Sequence, residues 1–406
     1  MTVVIIGGGQ AASQAAASLR QEGFAAPITI LAEEERAPYQ RPPLSKKFLE
    51  GALEAERLLL KPEQFYTQNS IDLRLGVRAD AIDVDAKSVS LSTGEKLGYD
   101  KLIIATGSAP RELPVPGADA QGVFYLRSAA DALALKPRLA EGKSIAIIGA
   151  GYVGLEVAAT ARKAGANVII IETAPRVMSR VTGEFFSSYL QKHHVARGAK
   201  LLLDAKVARL ETEDGRLVAC AFANGEKVAI DTAVIGIGVM PSTDIAERAG
   251  IKCDNGVTVD EYCRTNIEGV FAAGDCTNHY NTHYDMNLRL ESVHNAIEQA
   301  KTVAATICGK DKPYRQAPWF WSDQYDLKIQ SVGVSAGHDD YFVSGNPEED
   351  SFSVLYFSGN RLIAADCVCR PADYMVVRKL LQDQRLISMD DVKDADGDLK
   401  SLMARR

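Results

Sequence analysis

Three things are scarce or absent in this sequence of 406 residues: cysteine over its first 219 positions, long apolar runs, and an excess of positive charge. No apolar run reaches the roughly 18 residues of a membrane span. The net charge of −7 gives no reason to expect nucleic acid binding, which needs a basic face. The seven cysteines are odd in number and scattered from Cys220 onward, which is typical of free thiols in a reducing cytoplasm. Since Met1 leads directly into an apolar run, we expect no signal peptide and a cytoplasmic protein.

Two copies of one glycine motif are the strongest positive feature. The first is Gly7-x-Gly9-x-x-Ala12, directly after Val3-Val4-Ile5-Ile6, and the second is Gly149-x-Gly151-x-x-Gly154, directly after Ile145-Ala146-Ile147-Ile148. In a strand-turn-helix unit the first glycine allows the tight turn and the second lets the backbone approach a pyrophosphate. The third small residue lets the helix pack close to its strand. We refer to the two copies as the first and second fingerprint.

An acidic residue completes each unit about 20 residues later. The apolar strand Ile28–Leu31 leads to Glu33, and Val168–Ile171 leads to Glu172. A carboxylate at the end of this strand can accept both hydroxyls of an adenosine ribose. Beside Glu172, a 2′-phosphate would be repelled, so NADH is favoured over NADPH, although Arg176 and Arg180 lie downstream. Two complete units predict two dinucleotides bound at once, with electrons passing between them.

The position of the cysteines excludes one kind of redox chemistry. Enzymes that work through a disulfide or a sulfenate keep cysteine close to their flavin, but the segment after the first unit, residues 38–46, contains none. Cys367 and Cys369 are too close for a typical structural bridge. Cysteine chemistry is therefore not expected, and the six histidines show no metal-ligand spacing, so no metal site is predicted.

The order of the patterns predicts an α/β fold with a second nucleotide-binding unit inserted into the first. Both units end in a strand, a glycine turn and then a proline (Pro110, Pro241), which indicates crossings between domains. A further strand, Val270–Ala273, and a helix from Ser292 to Ile307 indicate a return to the first domain. From Pro318 short alternating stretches predict an antiparallel sheet, with a closing helix over Tyr374–Leu381. We predict an FAD-binding domain over 1–112 and 241–317, an NAD-binding domain over 113–240, and an α+β C-terminal domain over 318–406.

Several polar residues have two interpretations by pattern alone. Asp275 follows a strand, where it can accept a hydrogen bond from a ribityl hydroxyl or only cap a turn. Glu156, on the helix of the second fingerprint, has the pattern of a solvated face. The pair His193-His194 is expected on a helix surface. Trp319 and Trp321 have the pattern of core aromatics or of a functional site.

Five strings in the sequence resemble one family. They are Arg41-Pro-Pro-Leu-Ser-Lys46, Gly149-Ala-Gly-Tyr-Val-Gly-Leu-Glu156, Gly236-Ile-Gly-Val-Met-Pro241, Arg289-Leu-Glu-Ser292 and Pro318-Trp-Phe-Trp-Ser-Asp-Gln324. All are similar to the FAD-dependent, NADH-utilising ferredoxin reductases of bacterial oxygenase systems, of the putidaredoxin and rhodocoxin reductase type. The resemblance covers essentially the whole chain. It implies a glutathione-reductase-like fold with two Rossmann-like domains and the third, C-terminal domain.

The resemblance also implies roles for individual residues. Lys46 would lie beside the flavin N5 and pair with Glu156, which would help to place the nicotinamide amide. Trp321 would lie near the flavin edge that faces ferredoxin. The residues expected to bind the cofactors FAD and NADH are Gly7, Gly9, Ala12, Glu33, Arg41, Lys46, Ala105, Thr106, Gly107, Arg111, Asp275 and Val293 for the first fold, and Gly149, Gly151, Gly154, Glu172, Arg180 and Gly238 for the second. Other members carry a tryptophan at the position of Val293.

The expected reaction passes electrons from NADH through FAD to a 2Fe-2S ferredoxin that serves a cytochrome P450 or another oxygenase. Two alternatives remain open: an NADH oxidase or small-acceptor reductase, and an NADH-sensing flavoprotein of the apoptosis-inducing-factor type. An acidic ferredoxin needs basic residues on an acidic reductase. The candidates in the C-terminal half are Arg289, Arg315, Arg370, Arg378 and Lys379.

Overall fold

The protein is described by a computed structural model that covers residues 1–404. The chain divides into two compact units, each made of three segments. The first unit contains Met1–Gln40, Ala55–Ala109 and Met240–Pro318, and the second contains Arg41–Glu54, Pro110–Val239 and Trp319 onward. The three-domain division given above stays a prediction. No helix within residues 1–404 is long and apolar enough to cross a membrane.

The first unit is built on a parallel five-stranded sheet. Its strands, numbered along the chain and given in their order across the sheet, are β19 (Val270–Ala272), β7 (Lys101–Ile104), β1 (Val3–Ile6), β2 (Ile28–Ala32) and β3 (Ile71–Leu75). Every residue of β1 is buried, as the continuous apolar run Val3–Ile6 predicts for a strand covered on both faces. Since β19 pairs with β7, the chain returns to this sheet after residue 240.

Two helices cover one face of the first sheet. Helix α1 (Gln10–Gln21) buries Ala11, Ala12, Ala15, Ala16 and Leu19, a spacing that places small side chains on one stripe. These alanines share a core with α7 (Val293–Ile307), whose N-terminus is capped by the hydroxyl of Ser292. The remaining elements of the unit are α2 (Glu63–Gln68), α6 (Asp244–Arg248), the sheet β4 (Ala79–Asp83), β5 (Ser88–Leu91) and β6 (Lys96–Gly98), and the sheet β18 (Val257–Val259), β20 (Thr277–Asn281) and β21 (Met286–Leu288).

The second unit contains another parallel five-stranded sheet. Its order is β12 (Lys200–Leu202), β11 (Asn167–Ile171), β10 (Ser144–Ile148), β16 (Thr232–Ile235) and β9 (Val123–Tyr125). Helix α4 (Tyr152–Lys163) follows the second fingerprint, and its last turn carries Arg162 and Lys163, which suit a helix C-terminus. The other elements are α3 (Ala129–Leu135), α5 (Glu184–Ala196) and the sheet β13 (Val207–Glu213), β14 (Arg216–Phe222) and β15 (Lys227–Ala229). Strands β8 (Ser108–Pro110) and β17 (Val239–Pro241) lie where the chain passes between the units.

The C-terminal part of the second unit is an antiparallel sheet. Its order is β22 (Trp319–Gln324), β23 (Leu327–Gly333), β26 (Arg361–Val368), β25 (Ser351–Ser358) and β24 (Asp340–Asn346). The predicted closing helix is present as α8 (Pro371–Gln382), but it does not close the chain, because α9 (Met389–Asp394) follows it. Helix α9 starts at a complete capping box formed by Ser388 and Asp391, a signal that the sequence analysis missed. The predicted fold class, α/β with two nucleotide-binding folds and an α+β C-terminal part, is confirmed.

Candidate functional site

The turn of the first fingerprint joins β1 to α1. Gly7 has φ +125°, and a Cβ atom placed on it would lie 2.1 Å from the carbonyl oxygen of Ala105, so no other residue fits there. At Gly9 a Cβ would meet no atom within 4 Å. That open space next to the N-terminus of α1 is the room that a pyrophosphate needs, because the helix N–H groups point into it.

Four further candidates of the first unit meet at the ends of neighbouring strands. Residues Ala105–Gly107 follow β7, and Asp275 follows β19, which pairs with β7 in parallel. The hydroxyl of Ser108 donates to the carboxylate of Asp275 over 3.2 Å. Thr106 donates to the carbonyl of Ser242 over 2.7 Å, which fixes the turn after β7. The structure therefore brings the predicted residues 105–107 and Asp275 to one edge of the sheet.

The turn that contains Asp275 is stabilised by Gln299, a residue that the sequence analysis did not identify. Gln299 on α7 is fully buried, and its side-chain oxygen accepts hydrogen bonds from Gly274 N at 2.8 Å and from the Thr277 hydroxyl at 2.9 Å. Val293 lies at the first position of the same helix. Glu33 follows β2, and its carboxylate side chain is 72% exposed. Nothing in the spacing of the sequence indicates the role of Gln299, because its partners lie more than 20 residues away.

The second fingerprint repeats the geometry of the first. Gly149 has φ +103°, and a Cβ there would lie 2.4 Å from the carbonyl oxygen of Gly236. At Gly151 a Cβ would again meet no atom within 4 Å, whereas at Gly154 it would lie 2.1 Å from the carbonyl oxygen of Gly149. The carboxylate of Glu172 accepts hydrogen bonds from Ala150 N at 2.7 Å and Ala174 N at 2.9 Å. These bonds fix the carboxylate against the fingerprint turn.

The two arginines near Glu172 differ in their surroundings. The guanidinium of Arg176 donates hydrogen bonds to the carbonyl of Thr182 at 2.8 Å and to the hydroxyl of Ser187 at 2.7 Å. It therefore stabilises the loop between β11 and α5. Arg180 is exposed, and its guanidinium nitrogen lies 3.3 Å from where a Cβ of Gly238 would be. The N–H of Arg111 donates to the carbonyl of Gly238 over 2.9 Å. Three predicted residues, Arg111, Arg180 and Gly238, therefore lie together.

A buried ion pair is the most distinctive feature of the second unit. Lys46 Nζ lies 2.7 Å from Glu156 Oε2, and the two side chains are 13% and 3% exposed. Ser45 donates to the same oxygen over 2.5 Å, and Ser322 donates to Glu156 Oε1 over 2.6 Å. The pairing that the resemblance implies is present, and the solvated position that the pattern favours for Glu156 is wrong. The carboxylate is buried because its charge is matched by one ammonium and two hydroxyls.

The tryptophans and Arg41 belong to the second unit. Both indoles are partly buried, with ring centroids 5.7 Å apart, and Trp319 also packs edge-on against Tyr374. Arg41 donates to the carbonyl of Arg127 over 2.7 Å. The roles of Trp321 and Arg41 towards ferredoxin and FAD stay predictions.

The surface position expected for the histidine pair on α5 is wrong. Both His193 and His194 are buried. His194 Nε2 lies 2.9 Å from Gln324 Oε1 on β22, and burial lowers the pKa of His194 to about 4. The expectation failed because the partner of His194 is 130 residues away in sequence.

The basic docking candidates are not equivalent surface charges. Four form ion pairs: Arg289 with Glu291, Arg315 with Glu261, Arg370 with Asp373, and Lys379 with Asp383. Arg289 is also only 14% exposed, so it is not an ordinary surface charge. Arg378 forms no ion pair within residues 1–404, and its guanidinium carbon lies 5.1 Å from the centre of the Trp319 ring. Arg378 is therefore the candidate whose charge is least compensated by carboxylates.

All seven cysteines fall within the described residues, and all are free. Cys367 is buried, and burial raises its pKa to about 12, whereas Cys369 is exposed. A thiol with so high a pKa is a poor nucleophile at neutral pH.

Comparisons with known proteins agree with this geometry. The family model described as "Pyridine nucleotide-disulphide oxidoreductase" matches residues 1–300, and "Reductase C-terminal" matches 319–403. Rhodocoxin reductase of Rhodococcus erythropolis is 41% identical over 405 residues, which cover 100% of this chain and 95% of that protein.

Two solved structures have the same fold over their whole length. The ferredoxin reductase for the CYP199A2 system of Rhodopseudomonas palustris is 37% identical with a TM-score of 0.96, covering 99% of both chains. The covalent putidaredoxin reductase–putidaredoxin complex contains a chain that is 36% identical with a TM-score of 0.96, covering 99% of this chain and 98% of that one. Full-length identity of this size, on a chain with both fingerprints intact, means that the protein belongs to the pyridine nucleotide-disulphide oxidoreductase family.

Proposed function

We propose that this protein is an NADH-dependent ferredoxin reductase that passes electrons from NADH through FAD to a 2Fe-2S ferredoxin in the cytoplasm. The ferredoxin in turn serves a cytochrome P450 or another oxygenase. The observation that carries the proposal is the combination of two complete fingerprints with the buried Lys46–Glu156 pair in a chain whose first 219 residues contain no cysteine. The relatives that are named as reductases of such electron carriers support it.

The residues of the first unit fit FAD. The open space at Gly9, beside the N-terminus of α1, suits a pyrophosphate, and the exposed carboxylate of Glu33 suits the adenosine ribose. Asp275, at the end of β19, suits a ribityl hydroxyl. Bound FAD supplies the exchange between a two-electron hydride donor and a one-electron iron–sulfur acceptor. We propose that residues 1–112 and 241–317 form the FAD domain and residues 113–240 the NAD domain, with residues 318–406 as a third domain.

The residues of the second unit bind and orient the nicotinamide nucleotide. Gly149 permits the tight turn after β10, Gly151 leaves space for the pyrophosphate, and Glu172 disfavours a 2′-phosphate. Lys46 and Glu156 are proposed to orient the reacting groups, because their mutual charge fixes both side chains before substrate arrives. We expect no thiol to take part: Cys276, which directly follows Asp275, is buried, and burial raises its pKa.

The electron exit is proposed to involve Trp321, with Arg378 as the first docking residue to test. The guanidinium over the neighbouring Trp319 ring is the cation best placed to meet an acidic ferredoxin without first breaking an ion pair.

Turnover with cytochrome c as the terminal acceptor tests the function. The purified, FAD-loaded protein should reduce cytochrome c with NADH only when a 2Fe-2S ferredoxin is added. Oxygen consumption of equal rate without ferredoxin would instead support an NADH oxidase. NADH binding with slow turnover on every acceptor would support a sensing flavoprotein.

Trp321→Ala tests the exit within the same assay. It should slow the ferredoxin-dependent rate more than ferricyanide reduction, because ferricyanide is small and reaches the flavin directly. Arg378→Gln should raise the KM for ferredoxin and weaken its salt dependence, with Lys379→Gln as a control in which the replaced cation is already paired. Equal losses of both rates in Trp321→Ala would place this indole in a purely structural role.

A further inference from the structure

A second buried carboxylate lies in the C-terminal sheet of the second unit. Asp366 on β26 is 3% exposed and forms no ion pair with Lys or Arg anywhere in residues 1–404. Three hydroxyls solvate it instead: Ser331 donates to Oδ1 over 2.6 Å, and Tyr356, over 2.7 Å, and Thr182 both donate to Oδ2. Burial raises the pKa of Asp366. A buried carboxylate without a lysine or arginine partner is costly compared with an apolar side chain of similar volume, so its presence calls for a reason.

The first branch of this network leads to the second fingerprint. Ser331, on β23, also lies 3.2 Å from the hydroxyl of Tyr152. Tyr152 is the first residue of α4 and directly follows Gly151 of the fingerprint. Its ring packs against that of Phe320 on β22 with 4.4 Å between the centroids. The C-terminal sheet therefore holds the start of the helix at which a pyrophosphate is expected.

The second branch leads to the loop after β11. Thr182 lies at the end of this loop, which begins at Glu172, and its carbonyl accepts a hydrogen bond from Arg176. The middle of the loop is bonded to the fingerprint, because Met178 N donates to the carbonyl of Ala150 over 3.0 Å. The end of the second strand is where a nucleotide-binding fold holds the adenosine ribose. One carboxylate thus ties together the two segments that flank a bound nucleotide.

We propose that Asp366 is a positioning residue for NADH: from the C-terminal sheet it sets the spacing between the start of α4 and the loop that carries Glu172. The inference rests on the proposed use of NADH by the second fingerprint. It gives the C-terminal region a role in nucleotide binding in addition to the proposed docking of ferredoxin. Asp366 touches neither nucleotide nor flavin in this proposal, so it should affect affinity for NADH and not the rate of the bound complex.

Asp366→Asn tests the proposal, because an amide offers fewer acceptor sites to the three hydroxyls than a carboxylate does. The dissociation constant for NAD⁺, measured by titration calorimetry on the FAD-loaded protein, should rise about tenfold, the loss expected for one charge-assisted hydrogen bond. In stopped-flow reduction by NADH the half-saturating concentration should rise by the same factor, with the limiting rate within about twofold of wild type. FAD content should be unchanged.

Asp373→Asn is the matched control. Asp373 is a second buried aspartate of the same C-terminal region, and it accepts a hydrogen bond from a serine of the sheet, Ser353, over 2.8 Å. Its replacement should lower the Tm comparably while leaving the affinity for NAD⁺ at the wild-type value. If Asp366→Asn weakens NAD⁺ binding no more than Asp373→Asn does, the inference is overturned.

Two single-branch variants keep the test open if Asp366→Asn fails to fold. Ser331→Ala removes the link to Tyr152, and Thr182→Val removes the link to the loop. A rise of about threefold or more in the dissociation constant with either variant supports the inference, and wild-type affinity in both overturns it. Failure of the wild-type protein itself to bind NAD⁺ would overturn the proposed function as well, whereas wild-type binding with unaltered variants overturns the inference alone.

Discussion

In both nucleotide-binding sheets the strand before the fingerprint, β1 or β10, lies in the centre, between the strand that leads to the acid and the strand that ends in a glycine turn. The two sheets differ in the edge strand that pairs with the strand ending in the glycine turn, β7 or β16. In the first sheet it is β19, which comes after all other strands of the sheet in sequence, and in the second it is β9, which comes before them. The edge strand of this four-stranded arrangement can therefore come either after or before the other strands in the sequence.

The helices that follow the two fingerprints differ more sharply in chemistry. Helix α1 buries only alanine, serine and leucine, whereas α4 buries Glu156. Gln14 and Glu156 occupy equivalent positions, each seven residues after the first glycine of its fingerprint. Gln14 makes a single local hydrogen bond to Ser18, over 2.9 Å, while Glu156 binds one ammonium and two hydroxyls from distant segments. The comparison shows that the same strand-turn-helix backbone buries only small or apolar side chains in its first copy and a paired carboxylate in its second.

The largest expected effect comes from adding a methyl group at the first glycine of each fingerprint. Gly7→Ala would place a Cβ 2.1 Å from Ala105 O, and Gly149→Ala 2.4 Å from Gly236 O, both at positive φ. We expect Gly7→Ala to lose FAD, and Gly149→Ala to keep FAD but lose reduction by NADH. Flavin absorbance near about 450 nm per mole of protein and reduction by NADH measure the two losses separately.

Gly98→Ala is the control, because its Cβ would lie 4.0 Å from the nearest atom, the carbonyl oxygen of Lys87. If Gly7→Ala retains FAD while Gly149→Ala loses it, the assignment of the two nucleotides to the two folds is reversed.

The next effect separates the two helices. Glu156→Gln leaves the Lys46 ammonium without its carboxylate, and breaking such a buried pair costs about 3–5 kcal/mol. Gln14→Ala, at the equivalent position of α1, should cost only about 1 kcal/mol, the value of one hydrogen bond. Urea unfolding measures both, and equal losses would show that the two helices are energetically alike.

Each unit also contains a buried histidine with a strongly lowered pKa, which should make that unit sensitive to acid. Burial lowers the pKa of His279 in the first unit and of His194 in the second to about 4, from 6.5. The unfolded chain binds a proton at each histidine more tightly than the folded chain does. The free energy of unfolding is therefore highest above about pH 6.5 and decreases as the pH falls towards 4. Each histidine should lower the free energy of unfolding by up to about 3 kcal/mol over this pH range.

The two losses can be read separately. Both tryptophans, Trp319 and Trp321, belong to the second unit, so their fluorescence reports its unfolding, while FAD release reports the first. His194→Gln should flatten the pH dependence of the fluorescence transition only, and His279→Gln that of FAD release only. If neither variant changes the pH dependence of its transition, groups other than these histidines control unfolding by acid.

The smallest effect concerns the two acids. A 2′-phosphate beside Glu172 is disfavoured by about 2 kcal/mol after allowance for water, which is about thirtyfold in affinity. Glu172→Gln should narrow the ratio of kcat/KM for NADH over NADPH by up to that factor, mainly by improving NADPH. Glu33→Gln should loosen FAD and leave the ratio unchanged. A wild-type protein that uses both nucleotides equally well would contradict the role given to Glu172.

The sequence predicted those parts of the structure whose causes are local. Strands β1 and β10, helix α7 and both fingerprint turns follow from apolar runs, helical periodicity and the need for glycine at positive φ. The Lys46–Glu156 pairing came from the resemblance of two strings, not from spacing, since the two residues are 110 positions apart.

The sequence did not predict features that depend on partners distant along the chain. The sequence pattern placed Glu156 and His194 in solvent, because Ser322 and Gln324, which satisfy them, lie on a strand more than 120 residues downstream. Asp366 looks like any polar residue of an alternating strand, and only the fold brings Thr182 to it. The sequence also does not reveal whether a charged side chain already has an ion-pair partner in the fold, as Arg289 and Arg370 show.

The late position of β19 has a consequence for synthesis. When the ribosome has translated as far as Ile235, every strand of the second nucleotide-binding sheet exists, but the first sheet still lacks the edge strand that pairs with β7. Its helix α7, which shares a core with α1, is encoded later still. The first sheet, although begun first, is therefore completed after the second sheet. Its strand β7 lacks this neighbour until about 170 further residues have been translated, which takes about ten seconds or more at roughly 5–20 residues per second.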